Sequence, residues 1–126
     1  NVTGTLASLS VYVGATPAGA HLRLALVTDA SGGPGALVAQ TGEAIAVAGW
    51  NTLPVSGGPA LTPGTYWILA QTDNPGTVWR YQSGSGTTVL AWHSLAYGPF
   101  PGAAPAGWST WANHIFDMYG TVTTAP

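Results

Sequence analysis

The chain has no cysteine, no lysine and very little charge: Arg23, Arg80, Asp29, Glu43, Asp73 and Asp117 make up 5% of its 126 residues. Without cysteine there can be no disulfide, thiolate metal centre or cysteine nucleophile. That absence leaves the compartment open and is compatible with secretion by a bacterium whose extracellular modules rely on packing. The missing lysine bears on partners. Nucleic-acid affinity comes mostly from clustered cations facing phosphates. Two arginines far apart in sequence make no such cluster, so nucleic acid and anionic membrane surfaces are both discounted. The net charge of −2 steers no partner strongly. No apolar run reaches the length of a membrane helix. No window carries the capped 3.6-residue period of an amphipathic helix.

What the chain has is glycine, proline and large rings. Eighteen Gly and ten Pro punctuate short apolar runs, the pattern of many strands joined by tight turns. Low charge alone would suit disorder, but disordered chains are poor in aromatic and β-branched residues. Six Trp, five Tyr and a 46% hydrophobic content give this one enough to bury.

Strands are expected over 5–13, where Leu9, Val11 and Val13 alternate with polar positions, and over 20–28, where Leu22, Leu24 and Leu26 do the same. Asp29 to Gly35 reads as a long turn. Further strands are expected within 37–48, over 50–55, 65–72, 77–82 and 87–93, and at the close over 113–122. Residues 97–107, with three prolines, read as a long irregular loop of the kind that carries function. The sum is an all-β fold: one antiparallel, jelly-roll-like β-sandwich of about eight or nine strands, monomeric, spanning 1–126. The abrupt start and the Thr-Ala-Pro end suggest a module cut from a longer secreted, extracellular protein, with 123–126 entering a linker.

Six indoles exceed what such a core needs. An exposed indole has a broad apolar face that stacks on the C–H face of a pyranose, while neighbouring polar groups bond the hydroxyls. Neutral glycans need no cation, which suits the missing lysine. Strand parity, with Val78 taken as inward, puts Trp79 and Tyr81 outward. Trp92 ends its strand beside His93. Trp108 and Trp111 follow the proline-rich loop that also carries Tyr97. The expected sugar-binding set is therefore Trp79, Tyr81, Trp92, Tyr97, Trp108 and Trp111, with Gln82, His93 and Asn113 as hydroxyl partners. Trp50 and Trp67 read as core, and Tyr12, Tyr66 and Tyr119 as structural.

Catalysis is not expected. Glycoside hydrolysis needs two carboxylates about 5 to 9.5 Å apart across a cleft, and the four acids are scattered between turns and strands. No metalloprotease, nucleophile-elbow or phosphate-loop motif occurs, and the histidines show no zinc spacing. No cofactor is called for, except a structural calcium near Asp29, Asp73 or Asp117.

The segments Leu22-Arg-Leu-Ala-Leu-Val-Thr-Asp29, Gly33-Pro-Gly-Ala-Leu37, Gly49-Trp-Asn-Thr-Leu-Pro54 and Leu61-Thr-Pro-Gly-Thr-Tyr-Trp-Ile-Leu-Ala70 resemble β-sandwich modules of large secreted prokaryotic proteins. Joined to the Trp-rich final third, they resemble a carbohydrate-binding module, and in particular the β-glucan-binding family numbered 81. That resemblance implies binding of β-1,4 or mixed-linkage glucans, such as cello-oligosaccharides or xyloglucan-like chains. It also implies attachment to a glycoside hydrolase. It assigns no ligand residue. The competing expectation is a structural or adhesive spacer of a cell-surface protein.

Overall fold

The computed structural model describes residues 4–83, 89–92, 96–105, 108–112 and 114–124. Among them are no helices and thirteen strand segments: β1 (Gly4–Ala15), β2 (His21–Ala30), β3 (Gly33–Gln40), β4 (Ala44–Ile45), β5 (Gly49–Pro54), β6 (Ala60–Leu61), β7 (Tyr66–Thr72), β8 (Val78–Trp79), β9 (Tyr81–Ser83), β10 (Val89–Trp92), β11 (Ser109–Ala112), β12 (His114–Phe116) and β13 (Met118–Thr123). The number exceeds the eight or nine expected because several are two-residue pieces that extend an edge, and Arg80 splits one expected strand into β8 and β9. The final strand runs through Thr123, which pairs with Thr5, so the expected linker does not begin there.

Two antiparallel sheets form the sandwich. In the first, β1 is central. β5 and then β6 lie along one edge, β13 and then β8 along the other. In the second, β2 is central, with β3 and β4 on one side and β7 on the other. Short ladders β9–β12 and β10–β11 and two isolated bridges, Ala36 with Ala103 and Thr41 with Val55, complete the described pairing.

Alternation explains the core. Leu9, Val11 and Val13 of β1 face Leu22, Leu24 and Leu26 of β2, with Leu53 and Ala39 from the flanking strands. Leu6 also points inward although its parity is opposite to that of Leu9. A bulge shifts the β1–β13 register between Leu6 and Ser8, and the extra residue resets which face the chain presents. Burial of each such leucine contributes about 1.5–3 kcal/mol.

The β2–β3 connection is tighter than expected. Ala30 pairs with Gly33, leaving Ser31 and Gly32 as a two-residue loop with φ of 56° and 91°. Positive φ at both positions is the turn whose twist matches the flanking strands, and glycine suits it. Asp29 accepts a hydrogen bond from the Gly32 amide at 3.2 Å and fixes the entry.

The proline-rich loop is not a free excursion. Residues 97–105 lie across the outer face of the second sheet, where Arg23, Ala25 and Val27 sit beside Gln71, Leu69 and Trp67. The Leu37 amide donates to the Gly102 carbonyl and the Ala104 amide to the Gly35 carbonyl. Two glutamines receive the loop: Gln71 accepts from the Gly98 amide at 3.0 Å and Gln40 from the Phe100 amide at 2.9 Å. Phe100, only 7% exposed, belongs to this third layer and shares a small cavity with Val27 and Leu69; Ala25 and Val27 are buried on what would otherwise be a wet face.

Candidate functional site

Among the described residues, the largest group of exposed aromatics in mutual contact lies on the outer face of the first sheet, away from the expected residues. On β5, Leu53 and Asn51 are buried, so Trp50, Thr52 and Pro54 face out. The Asn51 side chain holds this strand in place. Its amide donates to the Val47 and Gly49 carbonyls and its oxygen accepts from the Val47 amide, which closes the turn just before Trp50. Trp50 pairs with Tyr12 on β1, and Tyr119 projects on the same side from β13, opposite Ser10.

Trp50 is 49% exposed and Tyr119 47%. The indole meets the Tyr12 ring edge-on, with centroids 5.4 Å apart at 88°, and the Tyr119 ring at 5.0 Å and 60°. Such tilted contacts suit ring quadrupoles. Because Trp50 and Tyr119 come from strands flanking Ser10, their rings close over it. Ser10 is fully buried, and it shares a 2.8 Å hydrogen bond with the exposed Thr52 hydroxyl. Ser8 and Thr121 continue the same face with more hydroxyls. At the Tyr12 end the Arg80 guanidinium lies 4.9 Å from the ring centroid, and Arg80 Nε is 3.4 Å from Asp117 Oδ2. The face therefore offers three rings in contact, a row of hydroxyls and one cation with its counter-ion.

The expected orientation of two residues is reversed. Val13, an inward residue, pairs with Trp79, so the indole turns inward and packs against the core, while Val78 is 54% exposed. Buried Thr77 has the parity of Trp79, and its hydroxyl meets those of Thr16 and Thr72. Trp50, expected in the core, faces water. Trp67, also expected in the core, lies on the outer face of the second sheet and donates from Nε1 to Asp29 at 2.8 Å.

Tyr81 is exposed although it shares the parity of the inward Trp79, because the strand breaks at Arg80; its ring lies 6.0 Å from that of His114, and Gln82 beside it is exposed on β9. Tyr97 packs down. Its hydroxyl donates to Glu43 at 3.0 Å and its ring lies 5.5 Å from the Arg23 guanidinium. Burial and the hydrogen bond to Glu43 push its pKa up to about 12. Trp108 is half-buried and donates from Nε1 to the Pro105 carbonyl. It ends an open groove of about 640 Å³ between the β2–β3 turn and residues 103–105. The side chains of Trp92 and Trp111, and residues His93 and Asn113, lie outside the described set. The expected residues thus fall in separate regions: Tyr81 and Gln82 on β9, Tyr97 and Trp108 around the loop, Trp79 inside.

The carboxylates have defined partners. Asp29 serves the turn and Trp67, and Asp117 pairs with Arg80. Asp73 accepts from the His21 amide at 2.7 Å and lies 2.8 Å from His21 Nδ1, while Glu43 Oε1 is 3.8 Å from the same nitrogen. The His21 amide and ring together hold the Asp73 carboxyl below the usual carboxylate range. Glu43 and Asp73 converge on one imidazole, and neither lines the groove beside Trp108.

Fold and site define an all-β sandwich with an aromatic, hydroxyl-bearing face on one sheet. Comparison with family models, curated proteins and solved structures finds no match to this chain.

Proposed function

We propose that the protein is a non-catalytic glycan-binding module that takes neutral glucan chains, β-1,4-linked or mixed-linkage, on the outer face of the first sheet. The observation that carries this reading is Trp50, half exposed and braced by Tyr12 and Tyr119 on one face. Bracing matters because a ring already held in place loses little freedom when a ligand covers it. The apolar C–H face of a pyranose would stack on the indole, and Thr52, Ser8 and Thr121 would bond its hydroxyls. Stacking on aromatic platforms contributes about 1–3 kcal/mol per nucleobase. One or two somewhat weaker sugar contacts, plus hydroxyl bonds, give roughly millimolar to micromolar affinity. Secretion and attachment to a glycoside hydrolase belong to the same proposal and rest on the resemblance in sequence.

The test is a calorimetric and fluorescence titration with cello-oligosaccharides, mixed-linkage glucan and xyloglucan. Saturable binding with a change in indole emission is expected. No heat and no spectral change with any of them would leave the sandwich as a spacer.

A further inference from the structure

At one end of the second sheet, three metal-competent side chains from three separate segments meet. His21 opens β2, Glu43 precedes β4, and Asp73 follows β7. Both flanking strands pair with β2 at this point: His21 with Ile45, Leu22 with Thr72. Hydrogen bonds secure His21 and Asp73 directly and the strand that follows Glu43. The Asp73 amide donates to the His21 carbonyl, the His21 amide to Asp73 Oδ1, and the Ala46 amide to the Ala20 carbonyl. His21 Nδ1, a Glu43 oxygen and an Asp73 oxygen all lie within 4.8 Å of one another, with 2.8 Å from Nδ1 to Asp73 Oδ2 and 3.8 Å to Glu43 Oε1.

We propose that His21, Glu43 and Asp73 form a site for a divalent transition-metal ion of the zinc type, with water completing the coordination. Bonds of 2.0–2.2 Å to nitrogen and oxygen in a tetrahedron put donor atoms about 3.4 Å apart. The two separations from His21 Nδ1 straddle that value, and all three donor atoms lie within 4.8 Å of one another. The site also has an outer partner: the Tyr97 hydroxyl donates to Glu43 and restrains the carboxylate from outside. The donor set selects among ions. A hard cation such as calcium wants six to eight oxygens. Here two carboxylates supply the oxygens, one of which already accepts from the His21 amide, and the third donor is an imidazole. The ion would tie β2, the turn before β4 and the end of β7 to the proline-rich loop through Tyr97. This proposal is independent of the glycan reading, which concerns the opposite sheet.

The test is a calorimetric titration of zinc chloride into the full chain, with calcium and magnesium chlorides in parallel. Saturable one-to-one zinc binding is expected, stronger than for either hard cation. His21→Ala and Glu43→Gln should each weaken it about tenfold or more, and Tyr97→Phe about tenfold. Glu43 is exposed and bonds no backbone group in the described contacts, so E43Q keeps the test sound should H21A disturb the sheet end. Circular dichroism checks each fold. Three results would overturn the assignment: no saturable zinc binding, calcium bound more tightly than zinc, or folded H21A and E43Q binding zinc as well as the parent.

Discussion

Replacing Trp50 by alanine separates platform from packing. The indole makes two tilted ring contacts, to Tyr12 and Tyr119. Contacts of this kind contribute about 0.5–1.5 kcal/mol each, so W50A should lose about 1–3 kcal/mol of stability and remain folded. The half of the ring that faces water contributes nothing to that loss, and it is the half a pyranose would cover. If stacking contributes about 1–3 kcal/mol, affinity for a bound glucan should fall about 5- to 150-fold. Calorimetry with the tightest glucan of the panel gives the affinity, and a urea melt gives the stability. Trp67→Phe, on the other sheet, is the control and should leave affinity unchanged. Should W50A bind a glucan within twofold of the parent, the first-sheet platform is wrong. Should W67F weaken binding as much as W50A, the ligand lies on the loop side.

Four further outcomes follow from the packing and the loop contacts. Phe100→Ala should cost up to about 3–5 kcal/mol, the range for a buried phenylalanine. Amide exchange should show the Leu37 and Ala104 protons, which bond between loop and β3, losing protection before the β2–β7 ladder does. Tyr97 should titrate near 12 in ultraviolet difference spectra. Its neutral form is favoured in the fold, so that stabilisation is complete below about pH 10 and is lost as pH rises from there toward 12; Tyr97→Phe should flatten the alkaline limb. Gly35→Ala would put a Cβ 2.8 Å from Thr28 Oγ1 and 2.9 Å from Ala30 Cβ, beside the backbone of the same hairpin. Such overpacking costs about 1–3 kcal/mol, readable as a lowered thermal midpoint.

The sandwich was legible because its two central strands follow the rule of two. Leu9, Val11 and Val13, and Leu22, Leu24 and Leu26, sit where alternation puts them. The Trp50 face was legible too, had parity been given more weight than ring size. Leu53 is inward, so Trp50, three residues earlier, must face out, and the cost is a buried Asn51 that satisfies itself on the local backbone. Trp79 was misplaced by the opposite reasoning. Val78 is β-branched and apolar and invites burial, but the register with Val13 decides, and register is a non-local fact. Leu6 depends on a bulge, which no composition signals. The docking of residues 97–105 was hidden because it is carried by backbone amides and two glutamines, residue types that alternation treats as solvent-facing.

The position of β1 sets the order of events in folding. Its ladder partners include residues 118–123, far along the sequence, and this strand contributes Leu6, Leu9, Val11 and Val13 to the central packing. A chain emerging from the ribosome holds the first strand early but must wait for the last before that edge is covered. Closing so long a loop is slow. In the interval, the Leu9–Val13 strand has one open edge and an apolar side. Aggregation during synthesis, more than loss of the finished fold, is where this architecture is vulnerable.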